Sequence, residues 1–213
     1  MQVLALASQK GGAGKTTLSG HLAVEAERTG FGPVALVDTD PQHSLTDWWQ
    51  ARQAETPLLA QVDLSDIQRG LEMLRQAGVA LVIIDTPPAI AQNIRTVVAV
   101  SDLVLIPTRP SPHDLRAVGA TVALVEATGR PMVFALNGAA NRARITHEAS
   151  SALSQHGTVA PVIIHQRTDF ATSMTDGRTA GELDPTGRSA AEIAELWTYV
   201  SKRILKHASK DAA

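Results

Sequence analysis

Near its start the chain passes from a short apolar run, VLALAS at 3–8, through the glycine-dense KGGAGKTT at 10–17 into the helix-like TTLSGHLAVEAERTG. That order constrains the fold more than any other feature. A strand that breaks at a glycine loop and continues as a helix is the first half of a crossover between parallel strands. The rest of the chain keeps the rhythm: further apolar runs at 33–40, 58–63, 80–86, 102–108, 132–137 and 161–166 alternate with helix-like segments. Most of these runs are continuous rather than alternating in hydrophobicity, as strands buried on both faces are. In the segment 64–78, Ser65 or Asp66 is placed to cap the start and Gly78 the end, as Gly30 is for the first helix. The expectation is an α/β chain with a single doubly wound, mainly parallel sheet and helices on both faces.

One domain over residues 1–207 accounts for this pattern, with 208–213 expected as a disordered tail. Its last element, SAAEIAELWTYVSKRILKH, puts Ile193, Leu196, Trp197, Val200 and Ile204 on one face and reads as a closing helix that packs. Aromatic residues make up only 3%, so the core must come from Ala, Val, Leu and Ile. The chain has no cysteine, which excludes disulfides, thiolate metal sites, iron–sulfur clusters and cysteine nucleophiles. No basic leader precedes the first strand and no apolar segment is long enough to span a bilayer, so a cytoplasmic chain is expected. Net charge is −2, but it is uneven: residues up to Ala139 hold 10 Lys/Arg against 13 Asp/Glu, the remainder 9 against 8. The strongest basic cluster, SKRILKHASK, lies near the C-terminus.

KGGAGKTT has the strand-before, helix-after context of a phosphate-binding loop. Gly11, Gly12, Ala13 and Gly14 let backbone N–H groups turn inward around phosphate oxygens. Lys15 would meet the β- and γ-phosphates, the Thr16 hydroxyl a Mg²⁺ ion, and Thr17 the phosphates from the helix N-terminus. The general pattern asks for glycine at position 9, where this chain has Gln9, and the loop carries a second lysine, Lys10. Downstream, ALVDTDPQ ends a strand with Asp38 and Asp40, two apart and therefore on the same side of an extended backbone. LVIIDTPP ends another with Asp85, followed by Thr86-Pro87-Pro88. Mg²⁺ prefers oxygen ligands and retains waters, which suits carboxylates at strand ends.

Together KGGAGKTT, DTDPQ and LVIIDTPP resemble the deviant Walker A ATPases of the ParA/MinD family, and the small ParA-type DNA-partition ATPases in particular. The resemblance runs from the first strand to the last helix. It implies ATP and Mg²⁺ as cofactors, with Asp40 orienting the attacking water, and Asp38, Thr16 and Asp85 serving the metal. It implies that Lys10 crosses a homodimer interface to the partner's nucleotide, joining Lys15 and Asp40 in catalysis. Asn137, at the end of FALN, stands where relatives read the adenine edge, or is a turn-forming Asn. In LIPTRPSPHDLRAVG, Pro110, Ser111 and Pro112 fit either a loop bordering the nucleotide or a rigid turn, with Asp114 near a helix start.

The resemblance further implies a slow ATP hydrolase whose dimer binds DNA without sequence preference on the nucleoid and is released by a ParB-type or equivalent stimulating partner. Arg167 and Arg188 stand where relatives carry DNA-contacting arginines; Lys202, Arg203 and Lys206 could add to them, or could simply offset the last helix's dipole. Because the loop begins so early in the sequence, the N-terminal helix-turn-helix of larger relatives is not expected here. Three other readings belong to the same or neighbouring families: an ATPase positioning a protein cargo such as carboxysomes or chemotaxis clusters, a MinD-like membrane-associated ATPase, and a dethiobiotin-synthetase-like ligase. His43 reads as a surface turn residue, and His113 and His165 lack metal-ligand spacing. Of Trp48 and Trp49, one is expected to pack and the other to border a partner surface.

Overall fold

The computed structural model describes residues 1–88, 91–141 and 143–211, with side chains through His207. The strands are β1 (Gln2–Leu6), β2 (Val34–Asp38), β3 (Leu58–Leu59), β4 (Leu81–Asp85), β5 (Leu103–Thr108), β6 (Met132–Ala139) and β7 (Thr158–His165). Between and after them run α1 (Lys15–Arg28), α2 (Ser44–Gln50), α3 (Ile67–Gln76), α4 (Ala91–Ala99), α5 (Pro112–Glu126), α6 (Arg144–Ser154), α7 (Thr168–Met174), α8 (Ala180–Leu183) and α9 (Arg188–Asp211). All seven strands join one parallel sheet in the order β3-β2-β4-β1-β5-β6-β7.

Alternation along each strand divides the core in two. Leu4 and Leu6 of β1 pack with Leu18 and Leu22 of α1 and with Leu196, Trp197 and Val200 of α9. Val3 and Ala5 point to the opposite face, against α3 to α6 through residues such as Leu71, Val97, Val122 and Leu153. Because both faces are covered, the strands read as unbroken apolar runs. A fully buried Leu or Val contributes roughly 1.5–3 kcal/mol, so this double layer supplies the main driving force for folding.

The ends of several elements differ from expectation, each for a local reason. The expected strand at 58–63 shrinks to Leu58–Leu59 at the sheet edge, where only β2 offers a partner. Asp63 caps a short 3₁₀ turn at Leu64–Asp66, its carboxylate accepting from the Ser65 N–H, and Asp66 then stands at the N-cap of α3 as expected, without a side-chain cap bond. Thr29 caps α1, with Gly30 one position beyond at φ +77°. β7 begins at Thr158, and Pro161 is accommodated because β7 is an edge strand whose register breaks opposite Ala135. α9 continues through Asp211, past the expected boundary at 207; residues 212 and 213 of the expected tail lie outside the described residues. Its expected apolar face is buried as one stripe. Both adjacent tryptophans pack: Trp48 is in the core with its indole N–H on the Arg178 carbonyl, and half-buried Trp49 donates to Pro57.

Register decides where chemistry can gather. Asp85 of β4 lies opposite both Leu6 of β1 and Asp38 of β2. Three strands therefore end at one level, and the loops after them meet above the carboxyl edge of the sheet, the usual place for a ligand in an open α/β fold.

Candidate nucleotide site

The loop 10–14 turns through Gly12 at φ +75° and Gly14 at φ +93°, conformations that L side chains rarely adopt. Gly14 precedes α1; among the described residues no side chain caps this helix start, and its first turn holds no acidic residue. The free N–H groups and the positive end of a 14-residue helix thus face the loop's concavity, a setting for anions.

Lys15 is buried, at 6% exposure. Burial lowers its pKa, and the Asp85 and Asp40 carboxylates counter that shift. Asp85 is buried at 1% exposure and accepts the Thr16 hydroxyl at 2.6 Å through Oδ2. Its other oxygen, Oδ1, is buried with no hydrogen-bond partner among the described residues. Burial pushes the Asp85 carboxyl up to about 7, against the pull of Thr16 and Lys15 and with some help from Asp38 and Asp40. An orphaned carboxylate oxygen beside a threonine hydroxyl is a hard-donor corner that fits Mg²⁺, which takes one or two carboxylates and completes its shell with phosphate and water. Among the described residues no cluster of three His, Cys, Asp or Glu could hold a metal by protein ligands alone.

Asp38 and Asp40 differ in role. Both oxygens of Asp38 are engaged: Oδ1 accepts the Asp40 N–H at 3.0 Å, and Oδ2 accepts the N–H and hydroxyl of Thr46 at 2.9 and 3.0 Å. Asp38 thereby braces the turn that carries Asp40 and ties it to α2. Asp40 lines the cavity and uses Oδ1 for the Gln42 N–H.

The cavity, about 580 Å³, extends from the glycine loop across the ends of β5, β6 and β7 to α7. Asn137 forms its floor: its Nδ2 donates to the Ala13 carbonyl at 2.7 Å and lies so close to Gly14 that a Cβ there would meet it at 2.1 Å. A one-residue irregularity beside it, with Gly138 at φ +64°, shifts the β6–β7 register just before its last pair, Ala139 and His165. Arg109, Gln166, Phe170 and Met174 also line the cavity, and none was singled out from sequence. Arg109 and Gln166 directly follow β5 and β7, as Asn137 lies near the end of β6, so the rule that ligands sit at strand carboxyl ends would have marked them. The two readings of the proline stretch divide: Arg109 borders the cavity, whereas Ser111 and Asp114 form a helix cap, with the Asp114 N–H on the Ser111 hydroxyl and that hydroxyl on the Asp114 carboxylate.

The remaining candidates lie apart. Lys10 is exposed and does not line the cavity. Arg167 is at the cavity rim, but its guanidinium is committed to Glu192 of α9 through two hydrogen bonds, at 2.6 and 2.8 Å. Glu192 also accepts from the His165 backbone N–H and contacts the His165 ring. Burial works against ionised Glu192, but Arg167 and His165 hold its pKa below the ordinary value. Arg188 is exposed at the first turn of α9, and Lys202, Arg203 and Lys206 lie near the other end, with Arg203 over the Tyr199 ring at 5.3 Å. Arg188 and Lys202 are roughly 21 Å apart along that helix at 1.5 Å per residue.

Residues 4–180 match the family model described as the CobQ/CobB/MinD/ParA nucleotide binding domain. The maintenance of carboxysome distribution protein A of Halothiobacillus neapolitanus is 32% identical over 200 residues, 89% of this chain and 91% of that protein. The chromosome-partitioning ATPase Soj of Thermus thermophilus is 32% identical over 152 residues, 58% of this chain and 61% of that one. Among solved structures, Cyanothece apo McdA superposes with a TM-score of 0.78 over 96% of this chain and 99% of that one, at 17% identity, a likeness of fold.

Proposed function

This chain belongs to the CobQ/CobB/MinD/ParA nucleotide-binding family, and on that premise we propose that it is a Mg²⁺-dependent ATPase that pairs around ATP, binds DNA without sequence preference and positions a cargo. The observation that carries the reading is the division of labour between two lysines five residues apart. Lys15 is buried between two carboxylates at the cavity, while Lys10 is exposed on the same loop outside it.

In this reading the loop N–H groups and Lys15 hold the phosphates, and Thr16 and Asp85 hold Mg²⁺, which supplies charge neutralisation for phosphoryl transfer when bound. Asp40, steadied by Asp38, takes a proton-bearing water at the cavity edge. With one Nδ2 hydrogen on the Ala13 carbonyl, Asn137 keeps its Oδ1 as an acceptor for the exocyclic amine of adenine. Lys10 compensates charge on the nucleotide of a second copy. An exposed lysine loses hydration when two copies close, and only a facing triphosphate offsets that cost, so dimerisation follows ATP.

For the DNA surface we propose Arg188, Lys202, Arg203 and Lys206, with Arg167 contributing once Glu192 releases it. Doubling these cations in a dimer strengthens phosphate contacts that need no base readout. The near full-length similarity to a carboxysome distribution protein supports a protein cargo; the similarity to Soj supports DNA as cargo through a ParB-type stimulating partner. A membrane role has less support, because the apolar stripe of α9 is buried and no helix among the described residues is long and apolar enough to cross a bilayer.

The test is non-specific DNA binding with ATP, ADP or no nucleotide across a salt series. Binding only with ATP, weakened by salt and by Arg188→Ala, supports the proposal. Absence of DNA binding in every nucleotide state, with ATP binding intact, removes the DNA-based part.

A further inference from the structure

The segment just before the glycine loop is fastened to a helix remote in sequence. The Gln9 backbone N–H donates to the hydroxyl of Thr121 on α5 at 3.1 Å, and the Gln9 side-chain amide reaches the Ala120 carbonyl at 3.4 Å. The Lys10 N–H in turn donates to the Ser8 hydroxyl at 3.2 Å. Thr121 is buried at 1% exposure, so its hydroxyl is a fixed acceptor rather than a surface rotor. Past Lys10 the loop runs through open space at Gly11 and Gly12, where an added Cβ would meet nothing within 4 Å among the described residues, and is held again at the Ala13 carbonyl by Asn137.

The tether on the N-terminal side thus lies immediately before the lysine assigned to the partner's nucleotide. Building on that reading, we propose that Gln9 and Thr121 are positioning residues for Lys10, holding its backbone so that the ammonium is presented across the dimer. The physical reason is entropy. A lysine on an open loop loses both rotamer and backbone freedom when its ammonium is fixed, and pinning the backbone beforehand removes part of that cost from the association step. This also accounts for Gln9, at a position where a general phosphate loop carries glycine: glycine would keep the backbone N–H contact but lose the second tether and stiffen nothing. α5 is a suitable anchor because its own start is fixed by the Ser111–Asp114 cap, whose Ser111 stands two residues after Arg109 at the cavity. Arg109, in the loop leading into α5, borders the nucleotide cavity, while Ala120 and Thr121 within the helix hold the dimer lysine's loop.

Sedimentation velocity with a non-hydrolysable ATP analogue, together with fluorescent-ATP titration of the dilute monomer, tests the inference on wild type, Thr121→Val, Thr121→Ser and Gln9→Gly. The expected result is that Thr121→Val weakens dimerisation by about fivefold for each protomer, the size of one lost hydrogen bond, while monomer affinity for the nucleotide is retained and Thr121→Ser dimerises as wild type does. Gln9→Gly, a change in a half-exposed loop, is expected to weaken dimerisation too and covers the case of a valine variant that does not fold. Wild-type dimerisation in Thr121→Val and Gln9→Gly overturns the inference alone. A wild-type chain that binds the analogue but stays monomeric overturns the dimer reading and the inference with it.

Discussion

Arg167 and Glu192 face each other in a two-point ion pair, 2.6 and 2.8 Å, that joins the loop after β7 to the first turns of α9. The arginine nominated for DNA is thus spent on a carboxylate, and its side chain is only 17% exposed. Glu192→Gln is expected to raise DNA affinity in the ATP state, and Arg167→Ala to lower it. Equal affinity in wild type and both variants assigns the pair to structure alone, and fluorescence anisotropy at fixed salt distinguishes these outcomes. Thermal melts of the same variants measure the structural share, expected at about 1–3 kcal/mol for a charge-assisted pair of this burial.

Gly14→Ala should abolish nucleotide binding. The new methyl faces two penalties at once: a φ of +93° and a contact of 2.1 Å with Asn137 Nδ2. Left-handed backbone costs an L residue roughly 1–2 kcal/mol and overpacking about 1–3 kcal/mol more. Isothermal titration with Mg·ATP and a urea melt check both, and normal ATP binding would contradict the placement of Asn137 on the loop.

The two loop lysines should separate cleanly. Lys15→Ala is expected to remove nucleotide binding, and Lys10→Ala to leave monomer binding intact while removing ATP-dependent dimerisation. Static light scattering combined with fluorescent-ATP titration reads both. Dimerisation of Lys10→Ala at wild-type strength would defeat the assignment across the interface.

His21 predicts a defined loss of stability in acid. Its ring is buried at 1% exposure, with Nε2 accepting the Ala180 N–H at 3.0 Å and Nδ1 therefore donating to the Thr17 carbonyl at 2.8 Å. Burial lowers its pKa from 6.5 to about 4. Between those values the unfolded chain takes up a proton that the folded chain refuses, so stability present above pH 6.5 is lost as pH falls toward 4, by up to about 3 kcal/mol. Asp85, raised to about 7, has the opposite sign: its contribution is full at low pH and fades as pH rises through 7. The difference between wild type and His21→Gln across pH 4–7 isolates the histidine; parallel curves would contradict the buried neutral ring.

How much of this was legible beforehand follows from what each feature depends on. The seven strands and the glycine loop were readable because continuous apolar runs and left-handed glycines are local requirements of the backbone. The boundaries were not: β3 lost length for want of a second neighbour, and Pro161 was absorbed by an edge strand, both consequences of sheet order.

By itself the sequence determined the fold class, the phosphate loop with both lysines, and the three aspartates at strand ends, since these are fixed by residue type and spacing along one segment. Only the tertiary structure decided which groups are partnered. It gave Asp38 to the Asp40 backbone and to Thr46 of α2, left Asp85 Oδ1 without a partner among the described residues, turned Arg167 onto Glu192 across 25 residues of chain, and bound Gln9 to Thr121 across 112. Hydrogen bonds and burial arise between segments brought together by packing, and packing is a property of the whole sheet and its helices.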